Sequence, residues 1–144
     1  RRRRKKKREA ARSEKVHGVH FPNFPIRSAS WMGDSVHCSG KVLLTSRRKF
    51  FYAYDAAAGK VERYSSLPSG RGGPGGGGRT EKSLETMTCS PDGRTAAFGG
   101  DDGYVLLWDS RSRSSAGDVK TNGTVRAIAF DVEGGSRLAA SGGD

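Results

Sequence analysis

Short apolar runs alternate with turn-forming residues along most of the chain. The clearest example is the stretch 90–109, in which apolar runs at 95–98 and 104–108 are separated by a turn rich in glycine and aspartate at 99–103. Glycine and aspartate tolerate the backbone angles that tight turns between strands require. The pattern therefore predicts a β-hairpin, preceded by a Ser-Pro-Asp-Gly turn at 90–93.

The hairpin pattern repeats along the chain. Residues 42–55 align without gaps with 96–109, an offset of 54, and residues 138–144 align with 96–102, an offset of 42. Repeats of about 40–45 residues that end in Trp-Asp are typical of propeller blades, and the longer interval contains the glycine-rich insert 68–79. The predicted fold class is all-β, a partial WD40-type β-propeller with about two complete blades and parts of two flanking blades.

Strands can be assigned blade by blade. The predicted strands are 26–31, 42–45, 50–54 and 61–65 in blade one, 83–89, 95–98, 104–108 and 116–120 in blade two, and 124–130 and 137–141 in blade three. Residues 16–21 are predicted to form the outermost strand of a preceding blade. Trp31, Cys89 and Phe130 fall at equivalent positions of the first strands. The aromatic residues at 50–54 are expected to pack between blades rather than to stack on bases.

Length and charge divide the chain into two regions. The formal net charge is +11 over 144 residues, and residues 1–15 contain ten basic and two acidic residues. We expect 1–15 to be a disordered basic tail and 16–144 to be the partial propeller. A propeller of four or more blades needs about 160 residues or more, so we expect an internal fragment that is poorly soluble when isolated.

The tail begins with eight consecutive cations. Such a run repels itself and does not pack into a core, and it is typical of nuclear or nucleolar import signals and of phosphate-binding arms. A solvated linker is the alternative. The candidate targeting residues are Arg1, Arg2, Arg3, Arg4, Lys5, Lys6, Lys7 and Arg8.

A second group of cations lies between the second and third strands of blade one. Arg47, Arg48 and Lys49 align with Asp101, Asp102 and Gly103 of the next blade. Aspartate is common in such turns because its carboxylate bonds the turn backbone. Cations in this place predict a phosphate-contacting or RNA-contacting turn, and an ordinary solvated basic loop is the alternative.

Motifs for catalysis, cofactors and metals are absent from the sequence. We find no paired-carboxylate frame, no Gly-x-Ser-x-Gly and no phosphate-binding loop in a βαβ context, so we expect no enzyme, no cofactor and no small-molecule substrate. His17 and His20 would face opposite sides of a strand, and Cys38 and Cys89 lack zinc-site spacing. The insert 68–79 contains one Arg-Gly-Gly triplet, and a flexible loop is favoured over RNA binding. No apolar run is long enough for a membrane helix.

Several segments together resemble one family. The segments that carry the resemblance, taken in order, are 47–55 (RRKFFYAYD), 81–85 (EKSLE), 90–98 (SPDGRTAAF), 103–107 (GYVLL), 122–130 (NGTVRAIAF) and 141–144 (SGGD). Together they resemble the U-three small nucleolar RNA-associated protein 18 family of WD-repeat proteins. The resemblance implies a nucleolar scaffold of the small-subunit processome. The insert 68–79 is longer than that family's usual connector, and the family's exosome-docking motif is not visible in this chain.

The resemblance also implies partners and a location. Expected partners are other propeller and helical-repeat subunits of the processome, U-three snoRNA and pre-rRNA, and the expected location is the nucleolus within the nucleus. The protein would act without catalysis in pre-rRNA processing and 18S rRNA maturation. A chromatin or ubiquitin-ligase adaptor that binds a peptide on the top face of the propeller is the alternative.

Overall fold

The described part of the chain forms two four-stranded antiparallel sheets and one two-stranded sheet. The computed structural model describes residues 18–33, 40–64, 84–133, 135 and 137–143. The first sheet contains β1 (Ser28–Trp31), β2 (Lys41–Thr45), β3 (Phe51–Asp55) and β4 (Lys60–Tyr64) in sequential order. The second contains β5 (Leu84–Cys89), β6 (Thr95–Gly100), β7 (Tyr104–Asp109) and β8 (Ser114–Lys120), and the third pairs β9 (Thr124–Phe130) with β10 (Leu138–Gly143).

The strand registers confirm the predicted repeat. Trp31 pairs with Val42, and the equivalent pairs of the following sheets are Cys89 with Ala96 and Phe130 with Leu138. Lys41 pairs with Asp55 in the first sheet as Thr95 pairs with Asp109 in the second. The offsets of 54 and 42 residues therefore relate second-strand positions, Val42 to Ala96 and Ala96 to Leu138, that are also equivalent in the structure.

Some predicted boundaries were wrong. The first strand begins at Ser28 rather than at residue 26, and β8 begins at Ser114 rather than at residue 116. The predicted strand 16–21 is not formed at residues 18–21, the described part of it. Instead, the Phe24 amide donates to the Phe21 carbonyl at 3.3 Å, and Asn23 has a φ of 61°, which gives a compact turn around Pro22.

The hydrophobic core lies between the sheets. In β6, Ala96 and Phe98 face the first sheet, whereas Ala97 faces the third. Both sets are fully buried because alternate side chains of a strand point to opposite faces and this sheet is covered on both. Blade packing thus explains why β6 and β7 are apolar on both faces.

Aromatic side chains dominate the interface between blades one and two. The Phe51 ring centroid lies 4.6 Å from that of Phe98 and 5.3 Å from that of Trp108, and the Phe51 ring stacks on Tyr64 at 5.2 Å. On the other face of blade one, Phe24 packs edge-on against Tyr52 at 4.7 Å. The aromatic residues at 50–54 are therefore packing residues, as predicted.

The propeller has two faces that differ in their turns. We call the face with the β2–β3 and β6–β7 turns the upper face, and the face with the β1–β2, β3–β4, β5–β6 and β7–β8 turns the lower face. On the lower face, a Cβ atom on Gly33 would lie 2.0 Å from the Pro91 carbonyl oxygen, and one on Gly135 would lie 3.0 Å from the Pro91 Cδ. The turns of three successive blades therefore touch. Within the described residues, no helix has the length and apolarity needed to cross a membrane.

Candidate nucleic-acid interface

The predicted basic turn lies on the upper face and contacts the next blade. The Arg47 Nε atom lies 3.0 Å from Glu85 Oε1, and the Glu85 side chain is only 20% exposed. The Arg48 carbonyl accepts a hydrogen bond from the Leu84 amide at 3.1 Å. Two contacts therefore hold this turn against the start of β5.

The three cations of the turn differ in what they contact. The Arg47 guanidinium forms an ion pair with Glu85 across the blade boundary, while 64% of the Arg47 side chain remains exposed. Arg48 and Lys49 are exposed, and neither side chain forms a salt bridge with another residue that the structure describes. The positive charge that this turn offers to a ligand therefore comes mainly from Arg48 and Lys49.

The aligned turn of blade two uses different chemistry. Asp102 Oδ1 accepts the Tyr104 amide at 3.1 Å, and Gly103 has a φ of 72°, a left-handed conformation that favours glycine. Lys49, at the position of Gly103, does not have a positive φ. The two turns are equivalent in register but differ in backbone shape, so the basic turn is not a copy of the acidic turn with other side chains.

A polar cleft of about 390 Å³ lies beside the basic turn. Arg47, Glu85, Asp101 and Arg126 supply its charged lining. Two carboxylates stand beside two cations here, so a phosphate group inside this cleft would meet repulsion as well as attraction. A phosphate contact is better placed on the outer side of the turn, at Arg48 and Lys49.

Other predicted features lie partly outside the described residues. The tail residues 1–8, the insert 68–79, His17 and Cys38 lie outside them. His20 is exposed and outside any strand, and Cys89 packs against the core between blades one and two. Among the residues with described positions, no group of three histidine, cysteine or acidic side chains is placed to hold a metal ion.

A second cationic cluster was not predicted from the sequence. Lys41, Arg111 and Arg113 line a cleft of about 420 Å³ between blades one and two, on the lower face. The Arg113 Nη1 atom lies 3.8 Å from Glu62 Oε2, and the Tyr64 hydroxyl donates to the same oxygen at 2.6 Å. This hydrogen bond from Tyr64, followed by the attraction of Arg113 and Lys41, lowers the pKa of Glu62 below its usual value. The two arginines of this cluster are visible in the sequence as the run Arg-Ser-Arg at 111–113. Their proximity to Lys41 is not, because Lys41 is distant along the chain.

Comparisons with known proteins show what the chain is similar to. No protein-family model matches it. The U3 small nucleolar RNA-associated protein 18 homolog of Arabidopsis thaliana is 35% identical over 136 residues, covering 94% of this chain and 22% of that protein. The protein of the same name from Homo sapiens is 29% identical over 129 residues, covering 89% of this chain and 21% of that protein. The predicted resemblance to this family is confirmed.

A solved structure described as "Structure of U3-55K" has the same fold. It superimposes with a TM-score of 0.61 at 15% sequence identity, covering 87% of this chain and 34% of that one. At this identity the likeness concerns the fold alone, and it supports the partial WD40-type propeller. The chain spans about a fifth of the length of the U3 small nucleolar RNA-associated protein 18 homologs that it matches.

Proposed function

We propose that this protein is a non-catalytic WD-repeat scaffold of the small-subunit processome, acting in nucleolar pre-rRNA processing and 18S rRNA maturation. The observation that carries the proposal is the 35% identity over 94% of the chain to a U3 small nucleolar RNA-associated protein 18 homolog. The partners that follow are U3 snoRNA, pre-rRNA and other propeller and helical-repeat subunits of that assembly. Stacked blades suit this role because they present loops on two faces to several partners at once.

Purification of the tagged protein from its own cells tests this function. Sequencing of the RNA that copurifies should recover U3 snoRNA and pre-rRNA well above an untagged control. Recovery of histones or a cullin without either RNA would contradict the proposal and favour the chromatin or ubiquitin-ligase adaptor.

The proposed RNA contact is the outer side of the basic turn. Arg48 and Lys49 are adjacent, exposed and without an ion pair in the described part of the chain, and the backbone beneath them is held by the Leu84 hydrogen bond. A cation on a turn that is already ordered loses less entropy on binding phosphate than one on a flexible tail. Arg47 serves mainly to join blades one and two through Glu85.

Charge reversal separates the RNA contact from the blade contact. The double change Arg48→Glu and Lys49→Glu should weaken RNA crosslinking while leaving the thermal midpoint of unfolding nearly unchanged. It should also reduce the magnitude of the slope of log affinity against log salt by about 1.4–1.8, because each of the two lost phosphate contacts contributes roughly 0.7–0.9. The matched control reverses Lys60 and Arg137, two exposed cations near the lower face. Equal RNA binding by the control and the test variant would remove the turn from the RNA interface.

A further inference from the structure

The cleft between blades one and two on the lower face has the composition of a small recognition site. Its volume of about 420 Å³ lies within the range of roughly 300–1,000 Å³ that is usual for ligand pockets. Its apolar lining comes from Met32, Ala53 and Trp108, which are 5%, 4% and 3% exposed. The charged side chains that line it, among the residues with described positions, are all cationic. An apolar floor under a cationic rim suits a ligand with an apolar group next to negative charge.

The carboxylates around the cleft are already engaged. Asp109 Oδ1 accepts the amides of Arg111 and Ser112, both at 2.8 Å, and Asp55 Oδ1 accepts those of Ala57 and Ala58 at 3.0 and 2.8 Å. Glu62 accepts from the Tyr64 hydroxyl and pairs with Arg113. None of these carboxylates lines the cleft, so the cations rather than the anions face a ligand.

Two of the three cations have no ion pair with a described residue. Lys41 and Arg111 form no salt bridge within 4 Å in the described part of the chain, and Arg111 is exposed. Arg113 is held at 3.8 Å from Glu62 and has a φ of 55°, so its position is set by the β7–β8 turn. A ligand carboxylate would gain charge-assisted hydrogen bonds from Lys41 and Arg111 without breaking an existing pair.

The aromatic residues of the cleft are poorly suited to stack a nucleobase. The Trp108 ring already packs against the rings of Phe51 and Tyr64, at centroid distances of 5.3 and 5.2 Å, so it is not an open platform for a base. One face of the Tyr64 ring is stacked on Phe51 at an interplanar angle of 17°, and its hydroxyl donates to Glu62. The Ser110 hydroxyl donates to the Gly93 carbonyl at 2.8 Å. Single-stranded RNA sites commonly stack bases on open aromatic faces, and the aromatic side chains that line this cleft offer no such face.

We infer that this cleft binds an acidic peptide segment of a partner protein, with one apolar side chain inserted between the blades and flanking Asp or Glu residues held by Lys41, Arg111 and Arg113. The apolar side chain would contact Met32 and Ala53. This site lies on the opposite face from the basic turn, so a protein partner and RNA can occupy the two faces together. The inference does not depend on the RNA contact and goes beyond the proposed scaffold role.

Direct binding of defined peptides tests the inference. The probe is a nine-residue peptide with a central leucine flanked by Asp and Glu, carrying a fluorophore and measured by anisotropy against the full-length protein. The changes Lys41→Glu and Arg111→Glu should each weaken binding by about tenfold, because a favourable charge contact becomes repulsive. Replacement of the leucine by serine should weaken binding by a similar factor. The Arg48→Glu and Lys49→Glu protein is the matched control and should bind the peptide as well as the unchanged protein.

Crosslinking locates the peptide. A photoreactive leucine at the centre of the probe should crosslink to Met32, Ala53 or Trp108, as mapped by mass spectrometry. Absence of binding at millimolar peptide, unchanged affinity in both charge-reversal variants, or crosslinks on the upper face would each overturn the inference. Displacement of the peptide by oligouridine, with loss of oligouridine binding in the same variants, would instead make the cleft an RNA site. Because these assays use no processome component, their outcome is separate from that of the RNA copurification.

Discussion

At the scale of single residues, Asp55, Asp92 and Asp109 accept hydrogen bonds from the backbone amides of their turns. Asp55 and Asp109 end the third strands of their blades, and each accepts two amides of the following turn. Asp92 accepts the Ser90 hydroxyl at 2.6 Å and the Arg94 amide at 3.0 Å. The Trp-Asp and Ser-Pro-Asp-Gly motifs are therefore turn-forming devices, and neither requires a catalytic role.

The hydrogen bonds to Asp109 predict a pH dependence of stability. Bonds from the Ser112 amide and hydroxyl and from the Arg111 amide lower its pKa below the ordinary value of 3.8. A group whose pKa is lowered by folding stabilises the fold above its unfolded pKa and loses that contribution as the pH falls through its folded pKa. Asp109→Ala should therefore lower the free energy of unfolding by about 1 kcal/mol at neutral pH, and this difference should shrink below a pH of about 4.

Urea unfolding at neutral and acidic pH measures this effect. Asp118→Ala is the matched control, since Asp118 is an exposed aspartate of β8 that lies outside the turns. An Asp109→Ala difference that is the same at both pH values would contradict the assignment of the stabilisation to the ionised carboxylate.

At the scale of elements, the close approach of β6 and β9 depends on a glycine. A Cβ atom on Gly99 would lie 2.4 Å from Val125 Cγ1 and 2.9 Å from Ile128 Cδ1. Gly99→Ala should lower the free energy of unfolding by about 1–3 kcal/mol, the usual cost of adding a methyl group to a packed interface. The additional change Val125→Ala should recover part of that loss, because the two sites are in contact.

Chemical denaturation of the single and double variants checks this prediction. Gly143→Ala is the control, because a Cβ atom there would lie 3.5 Å from Arg126 Nε, the flexible end of an exposed side chain. Its effect should remain within about 0.5 kcal/mol. Strict additivity of Gly99→Ala and Val125→Ala would show that the clash at the blade boundary is not what destabilises the protein.

Elements were predictable where the pattern is local. Trp31, Cys89 and Phe130 fall at equivalent ladder positions because apolar alternation and turn residues repeat with the blade. Strand ends were less predictable than strand centres. The strand β8, for example, begins at Ser114, which pairs with Asp109, and a serine at a strand end adds nothing to the hydrophobic pattern from which strands are predicted. The strand predicted at 16–21 is not formed at the described residues 18–21. A turn at Pro22 and Asn23 instead places Phe24 against blade one, and this packing contact is not visible in the local sequence.

At the scale of the whole molecule, charge is distributed between the two faces in ways that sequence order does not reveal. Arg47 meets Glu85, and Lys41 meets Arg111 and Arg113, only because neighbouring blades bring them together. The basic turn was visible as a run of three cations. Neither the ion pair between Arg47 and Glu85 nor the cleft of the lower face follows from spacing along the chain.

The basic tail supports a prediction that concerns the location of the whole protein. Residues 1–15 carry eight consecutive cations at their start, and such runs are typical of nuclear and nucleolar targeting. Fused to a neutral fluorescent reporter, residues 1–15 should concentrate the reporter in nucleoli, as seen by microscopy with a nucleolar marker. The matched control replaces residues 1–8 by alternating serine and glycine. An even cytoplasmic distribution of both reporters would leave the tail as a solvated linker.

The contact of Pro91 with both Gly33 and Gly135 has a consequence for how this protein can vary. The β5–β6 turn, residues 90–94, lies between the two neighbouring turns, so an insertion at Pro91 would push its backbone into one of them. The connectors β1–β2, residues 32–40, and β9–β10, residues 131–137, are longer than this central turn. The glycine-rich insert 68–79 lies between β4 and β5, whose ends belong to the upper face. Related proteins should therefore keep the length of the β5–β6 turn, while insertions should be common in the β4–β5 connector of the upper face.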